Sequence, residues 1–130
     1  MLLSALHTDI FGAAAGLSGD YDPLAMPRDR LITSVYGNFK QFEERWKTDD
    51  NIMQLADKLI NTPLFISHGD KDSVVPIDQS LIFALKLKHL KKKMGGFDVT
   101  YVEKKYSMHD WRYWGQMLPE VMDFFNKKLK

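Results

Sequence analysis

Two short polar stretches hold the residues best suited to chemistry: His68-Gly69-Asp70-Lys71-Asp72-Ser73 and Ser107-Met108-His109-Asp110. An imidazole can move a proton near neutral pH. To act as a general base it needs a carboxylate on its far nitrogen, which fixes the tautomer and stabilises the imidazolium. The first stretch offers two such carboxylates, Asp70 and Asp72, and the second offers His109. The acid precedes the base along the chain, which is the order of the last two members of a Ser…Asp…His triad. His68, Asp70, Asp72 and His109 are also of types that bind zinc, a second reading of the same cluster.

Each stretch needs an element to hold it. Pro63-Leu64-Phe65-Ile66 is a continuous apolar run, which reads as a strand buried on both faces. It ends where the first polar stretch begins, so the strand spans about 63–68. Phe97-Asp98-Val99-Thr100-Tyr101-Val102 alternates and reads as a strand near 97–103. It leads towards the second polar stretch. Between them Pro76 opens a helix near 77–94, with Phe83, Leu87, Leu90 and Met94 on one face, Asp78 at its start and Lys91-Lys92-Lys93 at its end. Gly95-Gly96 stops it. A last helix, near 111–129, carries the stripe Trp114, Leu118, Val121, Phe125 and Leu129, with Pro119 expected to kink or split it.

Upstream, residues 1–8 read as the end of an apolar helix, and the small-residue segment 11–17 reads as a third, tightly packed strand. A turn follows at Ser18-Gly19-Asp20-Tyr21-Asp22-Pro23. Residues 24–50 look irregular apart from one short helix from Phe39 to Trp46. Asp49-Asp50 offers an N-cap for a helix near 51–60, with Ile52, Leu55, Ala56 and Leu59 on one face. Strands alternating with helices imply an α/β layer fold with a parallel sheet and right-handed crossovers. In such sheets the working residues sit just past the carboxyl ends of the strands, where both polar stretches fall.

Composition narrows the function. The chain has 130 residues, 45% hydrophobic and 27% charged, with a net charge of +1. That is one globular domain at most, and its charge balance gives no electrostatic case for nucleic acid or an anionic membrane as partner. The absence of cysteine excludes disulfides, Cys-ligated metal centres and a thiol nucleophile. No apolar run approaches the roughly 18 residues that span a bilayer. Met1-Leu2-Leu3-Ser4-Ala5-Leu6-His7 does not read as a signal peptide. A soluble chain is expected, with no cofactor and no metal and with its compartment left open.

The motifs resemble those of a known superfamily. His68-Gly69-Asp70-Lys71-Asp72-Ser73-Val74-Val75-Pro76 resembles the acid loop of α/β-hydrolases. His109-Asp110-Trp111-Arg112-Tyr113-Trp114 looks like the His-Asp-Trp-x-x-Trp of the family that contains esterase D and feruloyl esterases. Phe11 to Gly19 resembles that family's sixth strand and the turn after it. The resemblance implies the C-terminal part of an α/β-hydrolase fold, about three parallel strands with flanking helices, filling residues 1–130 as a single partial domain. It implies Asp72 as the triad acid, with Asp70 the competitor, and His109 as the base. It also explains His68-Gly69 without a metal. The activity it implies is hydrolysis of a small carboxylic ester or acyl substrate. Trp111 is then a candidate lining residue of the acyl pocket, and Tyr21, with Phe39, Phe42 and Trp46, falls in the segment where family insertions shape the substrate cleft.

The family's nucleophile lies on a Gly-x-Ser-x-Gly elbow, and these residues contain none. Ser18 is the nearest substitute, but Asp20 stands where the second glycine should be and a turn follows instead of a helix. The elbow is therefore expected to lie in a preceding half of the domain. Segment 11–17 would then present an open parallel edge. The chain is expected to be marginally stable or assembled, either as a homo-oligomer or with a separate half that supplies the serine. The alternative is a catalytically inactive fragment or pseudoenzyme that acts by binding or assembly.

Overall fold

Leu64–Gly69 (β2) is buried at every position, as its unbroken apolar run requires of a strand covered on both faces. In this computed structural model, which describes residues 1–48 and 51–129, β2 is the centre of a three-stranded parallel sheet. Ala14–Leu17 (β1) pairs along one side, with Ala14 opposite Leu64 and Leu17 opposite Ser67. Val99–Lys104 (β3) pairs along the other, with Leu64 opposite Val99 and Gly69 opposite Lys104. Three parallel strands with flanking helices are thus the fold, as the sequence implied. β1 is shorter than the expected 11–17, because only Ala14–Leu17 enters the ladder.

The two-residue period of β2 sorts its side chains between two cores. Leu64 and Ile66 join Phe83, Ala84 and Leu87 of the helix Asp78–Met94 (α4), together with Ala5, Ile52, Ala56 and Leu59. Phe65 faces the other way, into Tyr113, Met117, Val121 and Phe124 of the last helix, α5 (Trp111–Lys128). Here the structure corrects the expected stripe. Leu118 and Leu129 are exposed, and the buried face is Tyr113, Met117, Val121 and Phe124. Pro119 does not split α5, which runs unbroken past it. On α4, Met94 is likewise exposed.

The stretch between β1 and β2 holds the other corrections. The expected helix at 51–60 is a series of turns ending in the 3-10 turn Ala56–Leu59, although Ile52, Ala56 and Leu59 are buried as expected. The proposed cap Asp49-Asp50 lies outside the described residues. The expected helix from Phe39 to Trp46 is the shorter Glu43–Lys47 (α3). A short helix at Leu2–Leu6 (α1) agrees with the reading of residues 1–8. Arg30–Tyr36 (α2), in the segment read as irregular, is a helix. Its cap is plain: Asp29 Oδ1 accepts from Leu31 N–H at 2.8 Å and Ile32 N–H at 3.1 Å. Asp29→Ala should cost about 1 kcal/mol in urea unfolding; no change in midpoint would mean that α2 adds nothing to global stability.

Two side chains missing from the sequence reading pin this segment. Asn51, fully buried, donates to the Trp46 carbonyl at 3.0 Å and accepts from Met53 N–H at 2.9 Å. Gln79 of α4 accepts from the backbone of Tyr21 at 3.0 Å and of Asp22 at 2.7 Å. Among the described residues, no helix is long and apolar enough to cross a membrane.

Candidate active site

The two polar stretches meet at the carboxyl ends of β2 and β3. The approach is close because Gly69, the last residue of β2, has no Cβ: a methyl group there would overlap the backbone carbonyl of Ser107. Asp70 N–H donates to the Lys104 carbonyl at 3.0 Å and Lys71 N–H to the Ser107 carbonyl at 2.9 Å. These bonds clip the acid loop onto the segment that carries His109.

Asp72 follows in a tight turn. Its Oδ1 accepts from Val74 N–H at 2.9 Å and Val75 N–H at 2.8 Å, an Asx turn that orients the carboxylate. Its Oδ2 then faces His109 Nδ1 at 2.8 Å. The Asp72 side chain is sealed from solvent, while 24% of the His109 side chain remains open. No hydrogen bond occupies His109 Nε2 among the described residues. The pair therefore has the polarity of a general base: carboxylate behind, free nitrogen in front.

His109 is fixed by the helix that follows it. Asp110 caps α5, accepting from Tyr113 N–H at 2.9 Å. Trp114, one turn along, sets its ring edge-to-face with His109 at 5.2 Å between centroids. Burial alone would push the Asp72 carboxyl up. The amides of Val75 and Val74 and the His109 ring, with a smaller effect of the Ser18 hydroxyl, outweigh it and hold the carboxyl below its ordinary value. Tyr113, beneath the site, is pushed up to about 12, first by burial, with the Asp72 charge adding to it against the Ser67 hydrogen bond. That hydrogen bond, to Ser67 Oγ, is 2.7 Å long.

The other candidates separate clearly. Asp70 makes no bond to His109, and its Oδ1 is buried without a partner. Among the described residues no three His, Asp or Glu groups converge on a point that would hold a metal ion. Ser18 is buried, with φ +51°, and its N–H extends the ladder to the Ser67 carbonyl at 3.0 Å. Its hydroxyl acts on Asp72 without a well-formed hydrogen bond. That is the carboxylate end of the pair, whereas a nucleophile must reach Nε2. Tyr21 is a core residue, 2% exposed and stacked on Phe83 at 4.5 Å, so its ring is closed to a substrate. Trp111 is the opposite: 83% exposed, edge-to-face with Trp114 at 5.0 Å. Trp46 is fully buried against Tyr36 and Phe39. A polar cleft of about 400 Å³ lined by Lys105, Ser107, Asp110 and Arg112 lies beside the His109 segment but is bordered by neither Asp72 nor His109.

Asp20, beside Ser18 in the turn after β1, is a polar liability. Burial first, then the charges of Asp22 and Asp29, raise it from 3.8 to about 6. Its ionisation therefore costs stability as pH rises through this interval. Because the group is partly exposed, screening reduces the cost to about 1 kcal/mol. Asp20→Asn should stabilise the chain by that amount at pH 7 and leave it unchanged at pH 3.5; equal shifts at both would show that charge is not the cause.

The prolyl oligopeptidase family matches over residues 1–130. The chain belongs to the prolyl oligopeptidase family. Its fold is shared with solved relatives. A puromycin-hydrolysing peptidase of Mycobacterium tuberculosis is 26% identical, with a TM-score of 0.78 over 98% of this chain and 20% of that one. An acylaminoacyl peptidase of Pyrococcus horikoshii is 23% identical, with a TM-score of 0.76 over 98% of this chain and 22% of that one. An S-formylglutathione hydrolase of Agrobacterium tumefaciens, only 12% identical, has a TM-score of 0.69 over 99% of this chain and 44% of that one. No curated protein matches. The chain spans about one fifth of the length of the solved peptidases. The α/β-hydrolase reading of the fold thus holds. The family shown is that of prolyl oligopeptidase, and the esterase-D-like specificity implied by the His-Asp-Trp-x-x-Trp motif is not part of what the match establishes.

Proposed function

We propose that this chain supplies the acid and base of a serine hydrolase that transfers acyl groups from amides of the peptide type. The observation that carries the reading is the 2.8 Å contact between a sealed Asp72 carboxylate and His109 Nδ1, with Nε2 left free. In this reading Nε2 takes the proton of an attacking serine and returns it to the leaving amine, while Asp72 holds the imidazolium that forms between the two steps. Family membership and the peptidase relatives support amides as the substrate class. The fold likeness to an S-formylglutathione hydrolase supports a second reading, ester or thioester hydrolysis by the same two residues.

The serine is one that chain outside these 130 residues, or a partner, brings to Nε2. The outer edge of β1 is where such a strand would pair, since β1 ends the sheet on that side. Trp111, exposed two residues after the base at the start of α5, is the candidate contact for the acyl or aryl group. The test is hydrolysis of an aminoacyl p-nitroanilide and of p-nitrophenyl acetate, by the chain alone and by the chain completed with a strand–Gly-x-Ser-x-Gly–helix segment. The completed protein should cleave both, and His109→Gln should abolish both. Cleavage of the ester alone would favour the second reading. Activity of the completed protein that survives His109→Gln would sink the proposal. No turnover in any form would leave the non-catalytic alternative.

A further inference from the structure

His68 is wholly buried in the central strand. Its neighbours at two-residue spacing, Leu64 and Ile66, are core residues. An apolar side chain would fill that place without desolvating two ring nitrogens. Both nitrogens have partners. Nε2 lies 2.9 Å from the Val75 carbonyl oxygen and 3.2 Å from Asp72 Oδ2. A carbonyl and a carboxylate only accept, so Nε2 carries the hydrogen. Nδ1 of the neutral ring is then an acceptor, and Ser80 Oγ donates to it at 2.7 Å.

Asp72 Oδ2 therefore faces two imidazoles: it is hydrogen-bonded to His109 Nδ1 at 2.8 Å, and His68 Nε2, whose own hydrogen bond goes to the Val75 carbonyl, lies 3.2 Å from it. Its other oxygen is fixed by the amides of Val74 and Val75. With Oδ1 pinned, the carboxylate cannot turn away when the His68 ring beside Oδ2 is lost. His109 then meets a carboxylate oxygen whose charge is less stabilised, because the positive N–H end of the His68 ring 3.2 Å away no longer offsets it. Ser80 enters the same chain. By donating into Nδ1 it makes the Nε2–H of His68 a stronger donor, since linked hydrogen bonds polarise one another.

We infer that His68 is a positioning residue whose Nε2–H lies against the Asp72 oxygen holding His109, so that the sequence of contacts Ser80–His68–Asp72–His109 sets how firmly the base is gripped. This rests on the reading of Asp72 and His109 as the acid–base pair. His68 touches neither His109 Nε2 nor any group that reacts; it acts through the carboxylate.

The test is the proton resonance of His109 Nδ1–H in the full chain, identified by its loss in His109→Gln. A stronger bond to Asp72 moves it downfield. Ser80→Ala, which removes one hydroxyl, should move it downfield. His68→Ala should move it further. His68→Gln, whose amide nitrogen reaches where Nε2 sits, should bring it back towards the native position. An unmoved or upfield resonance in a folded Ser80→Ala chain overturns the inference, even if His68→Ala fails to fold. Asp72→Ala separates the two levels. Loss of the resonance there, with no response to Ser80 or His68, would leave the acid–base pair standing and remove His68 from it. A resonance unchanged by Asp72→Ala would overturn the pair itself.

Discussion

Changing Asp72 to Asn should lower kcat of the serine-complemented protein by about 10⁴-fold. The direction of the amide decides the outcome. Val74 and Val75 N–H both point at Oδ1, so the Asn carbonyl must take that position and its NH₂ must take the place of Oδ2. An N–H donor then faces His109 Nδ1. The ring answers by accepting at Nδ1 and placing its hydrogen on Nε2, where it cannot receive a proton from serine. The same NH₂ then lies against the Nε2–H of His68, where the native carboxylate oxygen stood at 3.2 Å. A loss of less than tenfold would show that Asp72 is not the acid. The stability difference between the native chain and the variant should depend on pH. The native Asp72 carboxyl is held below its ordinary value, so its stabilising effect is present above that value and disappears as pH falls through the lower, folded one. The native chain should therefore lose stability more steeply than Asp72→Asn below about pH 4.

The second large effect is expected at Gly69. Gly69→Ala should cost about 2–3 kcal/mol in chemical unfolding, the upper part of the range of about 1–3 kcal/mol for forcing extra volume into a packed site. The added methyl meets backbone, the carbonyl of Ser107, and not the tip of a flexible side chain. To accommodate it the His109 segment must withdraw, which breaks the Lys71 N–H bond to the Ser107 carbonyl. The Asp72–His109 contact is carried on the same two loops, so the variant should also lose most of its complemented activity. Gly115 is the control. It lies inside α5 with open space where a Cβ would go. Gly115→Ala should stabilise by about 0.5–1 kcal/mol, through helix propensity and a less disordered unfolded chain. Opposite signs at the two glycines separate a packing clash from a general effect of alanine; the same sign at both would refute the close-approach explanation.

Much of the site was legible because strand ends in parallel sheets gather polar loops. The apolar run Leu64–Ile66 located β2, the alternation at Val99–Val102 located β3, and both polar stretches follow them. His68 was visible as part of a motif, yet its role was not, because period-2 geometry puts it on the α4 side and only the packing shows Ser80 there. Tyr21 was legible only as part of a segment that shapes a cleft in the resembled family; its packing was not, because glycines at 16 and 19 leave room for its ring to lie over the chain and reach Phe83. In α5 the phase was wrong by one position. Trp114 and Phe125 are large enough to suggest the core stripe, whereas Tyr113, Met117 and Phe124 occupy it. Trp114 is partly buried at its rim, packed beside His109. At 51–60 the apolar spacing was right and the helix was not, since burial of Asn51 and its side-chain bonds to Trp46 and Met53 hold the chain in turns. The cap at Asp29 was a signal that could have located α2.

The connectivity of the sheet bears on how the acid–base pair comes into being. All its pairings are parallel and joined by crossovers, so no hairpin is available as a local nucleus. Closing the β1–β2 crossover, where Ala14 meets Leu64, costs only about 0.3 kcal/mol more than closing β2–β3, where Leu64 meets Val99. Chain length thus hardly sets the order, and the longer ladder does: six paired positions join β2 to β3 and four join β1 to β2. The β2–α4–β3 unit should form first and β1 should dock last. Mutations in the first unit would then slow refolding, while those in β1 would chiefly speed unfolding. Asp72 and the segment leading to His109 both belong to the early unit. The acid loop is therefore in place before the outer strand arrives, and His109 is fixed last, when α5 closes over Phe65 of β2 and Ala15 and Leu17 of β1.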